Sequence, residues 1–276
     1  MNKLGTNERA RIVAALVEGN SLRSITRMTG THRTTIMKLL CDLGAACGEY
    51  QNKVFTNLQS ERIECDEIWS FVGAKEKNAT PSQKQDGWGD VWTWVALDAE
   101  SKLVPCWHVG TRDADSAHCF MEDLASRLAK RVQLTTDGHR AYLTAVENAF
   151  GSEIDYAMLV KIYGQLEKGK SSDVRYSPAA YTGAKKTPIT GNPEIEKVST
   201  SYVERQNLTM RMGMRRFTRL TNAFSKKIEN HCHAISLHYM HYNFCRVHKT
   251  LKTTPAIAAG VETKVWGLTN LIELID

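Results

Sequence analysis

Eight consecutive residues, Asp90-Val91-Trp92-Thr93-Trp94-Val95-Ala96-Leu97, restrict the possible folds more than any other stretch of the chain. They are β-branched and aromatic types that do not alternate apolar with polar, so as a strand they must be covered on both faces. Such a strand lies in the middle of a sheet with helices on either side. Arg62 to Val72, around Cys65-Asp66-Glu67-Ile68-Trp69, is a second β-rich run. Leu103 to Val109 is a third, joined through the turn residues Asp98 to Lys102 as a hairpin. Asp113 to Lys130 then carries Phe120, Leu124 and Leu128 at spacing four and reads as a helix. Val132 to Thr136 is a short strand ending at Asp137-Gly138, followed by a helix from His139 to Phe150 and a strand from Tyr156 to Ile162.

Three strands, helix, strand, helix, strand is the order of a ribonuclease H-like α/β domain, a mixed sheet flanked by helices. Ahead of it the periodicity is helical. Asn7 to Gly19 places Ile12, Val13, Leu16 and Val17 on one face, with Asn7 as N-cap and Gly19 as stop. Ser21 to Gly30 and Thr31 to Leu40, the latter capped by Thr31, form a pair joined at Gly30, the helix-turn-helix pattern. In that pattern His32, Arg33, Thr34, Thr35 and Lys38 are exposed donors for bases and phosphates, and Ile36, Leu39 and Leu40 pack inward. The same residues also suit a three-helix cap with no nucleic-acid role. From residue 48 to 60 the periodicity fades. The expected division is a small all-α helix-turn-helix domain at 1–50, a linker at 51–60, a catalytic domain at 61–250 and a C-terminal tail at 251–276, with a helix from Leu268 to Ile275.

Gly164 to Thr200 interrupts the catalytic domain with four glycines, three prolines and no apolar period. This reads as a long insertion without regular structure. Its Lys168, Lys170, Arg175, Lys185 and Lys186 suit a phosphate backbone, diluted by Glu167, Asp173, Glu194 and Glu196.

After the insertion, Glu204 to Lys227 holds seven basic residues (Arg205, Arg211, Arg215, Arg216, Arg219, Lys226, Lys227) against one acid, a net of +6 that equals the whole chain's net charge of +6. On a helix, Glu204, Asn207, Leu208, Arg211 and Arg215 share one face, and Val203, Met210, Met214 and Phe217 form an apolar stripe beside it. A solvated amphipathic helix is the plain alternative. The concentrated charge points to a polyanionic partner. Composition adds bounds: 42% hydrophobic and 24% charged residues suit a globular chain. No apolar run is long enough to span a membrane, and Glu8, Arg9 and Arg11 occupy the place of a signal peptide's apolar region, so the expectation is a cytoplasmic protein without membrane contact. Seven cysteines without a C-x-x-C pair argue for buried reduced thiols. His238 and His241, at i and i+3, lack an acidic or cysteine partner at matching spacing and are read as interior histidines.

Three carboxylates stand at positions where this order can converge them: Asp66 in the first strand, Asp137 after the fourth, Glu204 on the helix beyond the insertion. First and fourth strands are neighbours roughly 5 Å apart, so acids on both can share a cation. Carboxylate oxygens at a water-accessible site suit Mg²⁺, with Mn²⁺ as a substitute. Two such ions about 4 Å apart activate an attacking water or 3′-hydroxyl and stabilise the leaving oxygen of a phosphodiester.

The residues also carry a family resemblance. Cys65-Asp66-Glu67-Ile68-Trp69-Ser70-Phe71-Val72-Gly73, Thr136-Asp137-Gly138-His139-Arg140-Ala141-Tyr142, Tyr202-Val203-Glu204-Arg205-Gln206-Asn207, and Tyr242-Asn243-Phe244-Cys245-Arg246-Val247-His248-Lys249-Thr250-Leu251 with Thr254-Pro255-Ala256 resemble blocks of the DDE-class transposases of bacterial insertion sequences. The resemblance runs from about residue 60 to 260 in family order. It implies a ribonuclease H-like catalytic domain that uses Mg²⁺ to nick the ends of a mobile element and join them to target DNA. It further implies Asp66, Asp137 and Glu204 as the metal-binding catalytic triad. Arg211 matches a basic position that binds phosphate near the scissile bond, among DNA-binding residues that also include Arg205, Asn207 and Arg215. The implied partners are double-stranded DNA, as terminal inverted repeats and as target, and further copies of the chain assembled on it. Several relatives carry a cysteine zinc finger ahead of the helix-turn-helix, which this sequence lacks. A domesticated DNA-binding regulator and a plain metal-dependent nuclease are the alternative readings.

Overall fold

The computed structural model describes residues 4–164, 181–218 and 221–276. Three helices come first: α1 (Thr6–Val17), α2 (Leu22–Thr29) and α3 (Arg33–Val54). Then follow β1 (Arg62–Val72), a short α4 (Pro81–Gln85), β2 (Gly89–Asp98), β3 (Trp107–Gly110), α5 (Ala114–Arg127), β4 (Gln133–Thr136), α6 (Ala141–Phe150), β5 (Asp155–Tyr163) and β6 (Tyr181–Thr190). The chain ends with α7 (Ser201–Gly213), α8 (Ile228–Met240), α9 (Pro255–Ala258) and α10 (Leu268–Glu273). The six strands form one sheet in the order β3-β2-β1-β4-β5-β6. β4 is parallel to both β1 and β5, and the other pairings are antiparallel. This mixed sheet is consistent with a ribonuclease H-like fold, with β2 interior as its unbroken apolar sequence requires.

Alternation along β1 divides the core. Ile63 and Cys65 face one layer, with Phe120, Met121 and Leu124 of α5 and Tyr142, Ala145 and Val146 of α6. Ile68 faces the other, with Val203 and Met210 of α7 and Ile235 and Tyr239 of α8. The N-terminal helices join that second layer: Ile12, Ile25, Ile36, Leu40 and Leu43 belong to the same buried cluster as α8 and α10. Gly44 makes the α3–α8 contact possible, because a Cβ there would meet the His233 carbonyl oxygen at 2.5 Å. At the end of the chain Trp266 packs on Tyr50 and Phe244, and Arg9 pairs with Asp276 at 2.8 Å.

Several boundaries differ from the sequence expectations. Helix α3 does not stop near Leu40 but runs to Val54, through much of the stretch that reads as a linker. Its later buried positions are Gly44, Cys47 and Gln51, types that carry little apolar signal. His32 rather than Thr31 caps it, while Ser21 caps α2 by accepting from the Ser24 amide, and Gly30 takes the left-handed turn at φ 72°. Strand β3 begins only at Trp107: Pro105 has no N–H for a ladder, and the Asn243 side chain satisfies the backbone of Val104. The clearest correction concerns residues 164–200, where β6 adds an edge strand to β5. Gly183, Pro188 and the absence of a buried face hide it, since six of its ten residues are exposed and none is buried. An edge strand tolerates Pro188 because one side of it needs no partner. Lys185 and Lys186 lie on this strand, whereas Lys168, Lys170 and Arg175 fall outside the described residues. Helix α7 ends at Gly213, and a 3₁₀ turn at Arg215–Phe217 follows. Arg215 therefore leaves the face it was expected to share with Glu204, and Met214 and Phe217 are buried from the turn, not from the helix. All seven cysteines are free thiols.

Candidate metal centre and nucleic-acid surface

The parallel pairing of β1 with β4 sets Cys65 opposite Thr136, so Asp66 and Asp137, each one residue further on, meet where the short β4 stops between the longer β1 and β5. Oxygens of Asp66, Glu67 and Asp137 lie within 4.8 Å of one another, the one such group of three potential metal ligands among the described residues. His238, by contrast, is buried and held neutral, its pKa pushed down to about 3 first by burial and then by His241 and Arg246.

Asp66 is pushed up to about 6, first by burial and then by the facing charge of Asp137, against a 2.9 Å hydrogen bond from the Asn207 amide. Glu67 goes up to about 7 for the same two reasons in the same order. Its side chain is 1% exposed and accepts from Arg112 Nε at 3.0 Å. The guanidinium reaches Asp137 Oδ2 with Nη2 at 3.4 Å and lies over the Trp92 ring, 4.9 Å from its centroid. Asp137 Oδ1 accepts from the His139 amide at 2.9 Å. Three converging carboxylates, two of them protonated more readily than normal and one cation reaching across two of them, are a set of hard oxygen donors short of positive charge. That donor chemistry fits a divalent cation of the magnesium type.

Glu204 lies in the first turn of α7, on the Asp66 side of β1. Its Oε1 accepts from Thr200 Oγ1 at 2.6 Å, and its Oε2 pairs with Lys161 of β5. It is thus beside the cluster and contributes to raising Asp66, with its own oxygens engaged elsewhere. What holds α7 there is Glu64, on the same face of β1 as Asp66. Its Oε2 accepts from the Tyr202 and Val203 amides at 2.8 and 3.0 Å. Those N–H groups have no partner within the helix, so a carboxylate from the sheet performs the capping. Burial still dominates, and the Glu64 pKa rises to about 7 despite the two bonds.

Of the residues expected to face DNA, His32, Arg33, Thr34, Thr35 and Lys38 are exposed at the start of α3, as are Arg205, Arg211 and Arg215. Asn207 is 3% exposed and turned to Asp66, which makes it a support for the carboxylate and not a surface donor. Sequence reading missed Glu67, Arg112, Glu64 and Lys161. Strand alternation assigns Glu67 to the face opposite Asp66, and only where β4 stops and Asp137 leaves it do both reach one point. Nothing local to Arg112 or Lys161 marks either.

No family model matches the chain, and no curated protein matches it. Among solved structures, a cryo-EM synaptic complex of the piggyBac transposase with hairpin DNA is similar over 99% of this chain and 71% of that one, at 11% identity and a TM-score of 0.45. A crystal structure of the Mos1 strand transfer complex is similar over 87% of this chain and 76% of that one, at 12% identity and a TM-score of 0.25. At those scores the fold assignment rests on this chain's own strand order.

Proposed function

We propose that the chain is a DNA transposase of the DDE class, of the bacterial insertion-sequence kind, cutting element ends and joining them to target DNA. The observation that carries this reading is the meeting of Asp66 and Asp137 where β4 stops beside β1, with Glu204 on the helix next to them. The sequence blocks around those three residues support it, as does the exposed basic face of α7. In this reading Asp66, Asp137 and Glu204 hold Mg²⁺, or Mn²⁺ in its place, and Glu67 adds a fourth carboxylate. A bound ion of this kind lowers the pKa of the attacking water or 3′-hydroxyl and offsets charge on the leaving oxygen. Asn207 fixes the Asp66 carboxylate, Arg112 offsets the charge of Glu67 and Asp137, and Glu204, held by Lys161 and Thr200, would have to leave them to reach an ion. Arg205 and Arg211 bind the backbone near the scissile phosphate, and His32, Arg33, Thr34, Thr35 and Lys38 read terminal-repeat sequence in a major groove. Copies of the chain pair two element ends.

The test uses an end-containing duplex in Mg²⁺, with cleavage and joining followed beside a binding titration and a thermal melt. Asp66→Asn, Asp137→Asn and Glu204→Gln are each expected to lower chemistry by orders of magnitude, as loss of several kcal/mol of charge stabilisation implies. Binding should hold or rise slightly, because a negative charge near the phosphates is gone. Retained cleavage in a variant removes that residue from the triad.

A further inference from the structure

Away from the acid cluster, a cleft of about 980 Å³ lies between the N-terminal helices and the segment after α7. Arg23 and Arg33 stand on one side, Arg215, Arg216, Lys226 and Lys227 on the other, and among the described residues no acid lines it. Its floor is apolar, with Met37, Leu40, Met214, Phe224 and Leu237. Gly19 closes one end against the Gly213 carbonyl, where a Cβ would stand at 2.5 Å. Arg216 is partly buried, and among the described residues its guanidinium donates to Ser225 Oγ at 2.7 Å with no carboxylate in ion-pair range. A desolvated cation with a neutral partner is costly unless an anion completes it.

The cleft is continuous with α7. Glu204 lies in the first turn of that helix and Gly213 ends it, nine residues or about 14 Å of rise apart. Between them the exposed side chains are Arg205, Leu208, Arg211 and Met212, with Leu208 42% and Met212 74% exposed. Cations alternating with bare apolar surface match a backbone with its base faces uncovered. A duplex buries those faces in its own stack and would leave the apolar floor unused.

We propose that the outer face of α7 and this cleft form one track for an unpaired strand of nucleic acid leading away from the acid cluster. Phosphates lie along Arg205, Arg211, Arg215 and Arg216, and one or more bases rest on the floor beside Phe224. The proposal rests on the DNA-processing reading for the track's direction, and its binding test does not require chemistry.

The experiment measures fluorescence anisotropy of the full chain carrying Asp66→Asn, with three labelled DNAs of one sequence: a blunt duplex, the duplex with a short unpaired tail, and the same tail built of abasic sites. The unpaired tail is expected to tighten binding about tenfold over the blunt duplex, and the abasic tail to lose most of that gain. Phe224→Ala should remove the gain while leaving blunt-duplex affinity unchanged. Because Phe224 also packs on Phe71 at 5.0 Å between ring centroids, Met212→Gln, at a side chain 74% exposed and outside the core, serves as a second variant and is expected to reduce the gain several-fold. Equal affinity for blunt and tailed duplex overturns the track, as does equal weakening of both by either variant, which would make the cleft a duplex-backbone site. Failure to bind any of the DNAs overturns the DNA-processing reading itself.

Discussion

At the scale of single residues, burial decides the charge state of the site. Asp66 and Glu67, at about 6 and about 7, hold protons in the folded chain that the unfolded chain releases nearer pH 4. Their contribution is therefore fully present below about pH 4 and is lost as pH rises through those two values. Melts at pH 5, 6, 7 and 8 in EDTA should show this loss, and Asp66→Asn with Glu67→Gln should flatten it. Mg²⁺ should raise the melting temperature mainly above pH 7, where both carboxylates are ionised; an equal rise in the double variant would show that the ion binds elsewhere. His231 has the opposite sign. Buried between Ser70 at 3.2 Å and Ser225 at 2.9 Å, it is pushed down to about 3 by burial and by Arg216. Its contribution is present above about pH 6.5 and is lost as pH falls toward 3, by up to about 1.4 kcal/mol per pH unit. A His231→Gln variant should be less stable than the parent at pH 7.5, with a difference that narrows below pH 6. Asp66 and Asp137 were legible from the sequence because both stand where the strand order must bring them. Glu67 was not, because a period of two has no way to announce that a strand end lets neighbouring residues converge.

At the scale of elements, α7 depends on a cap supplied from the sheet. Glu64→Ala should cost about 1–2 kcal/mol, as loss of an N-cap does, and speed amide exchange at Tyr202 and Val203 before the rest of the helix. Unchanged exchange at those two amides would show that packing alone fixes the helix. The elements with a strong period were readable: β1 agrees with the sequence reading over Arg62–Val72, and β2 and α6 agree to within two residues. The ones missed share a physical cause. Edge strand β6 has no buried face, and the last turns of α3 bury Gly44, Cys47 and Gln51, so neither writes an apolar period into the sequence.

At the scale of the whole molecule, the N-terminal helices and α8 bury one another. Ile235 and Tyr239 are fully buried, and α3 covers part of that surface. Removing residues 1–50 is expected to strip this layer, at about 1.5–3 kcal/mol for each large side chain uncovered, and to yield aggregated protein instead of a free sheet domain. A soluble truncated chain with a cooperative melt would count against the shared core. Gly44→Ala tests the same contact more gently: the clash with His233 should lower the melting temperature by several degrees, although alanine is the better helix former.

Under the proposed function, the long continuous helix α3 would act as a ruler. Its first turn bears the exposed donors His32, Arg33, Thr34 and Thr35, and its later turns are fixed in the core that carries α7, so recognition through those donors and cutting at Glu204 would be separated by a set length. Inserting about 5 base pairs between the recognised sequence and the cut turns the scissile phosphate to the far side of the duplex, and about 10 restores its facing but not its distance. Cleavage measured on a ladder of such insertions should fall at the first step and should not slide smoothly along the DNA.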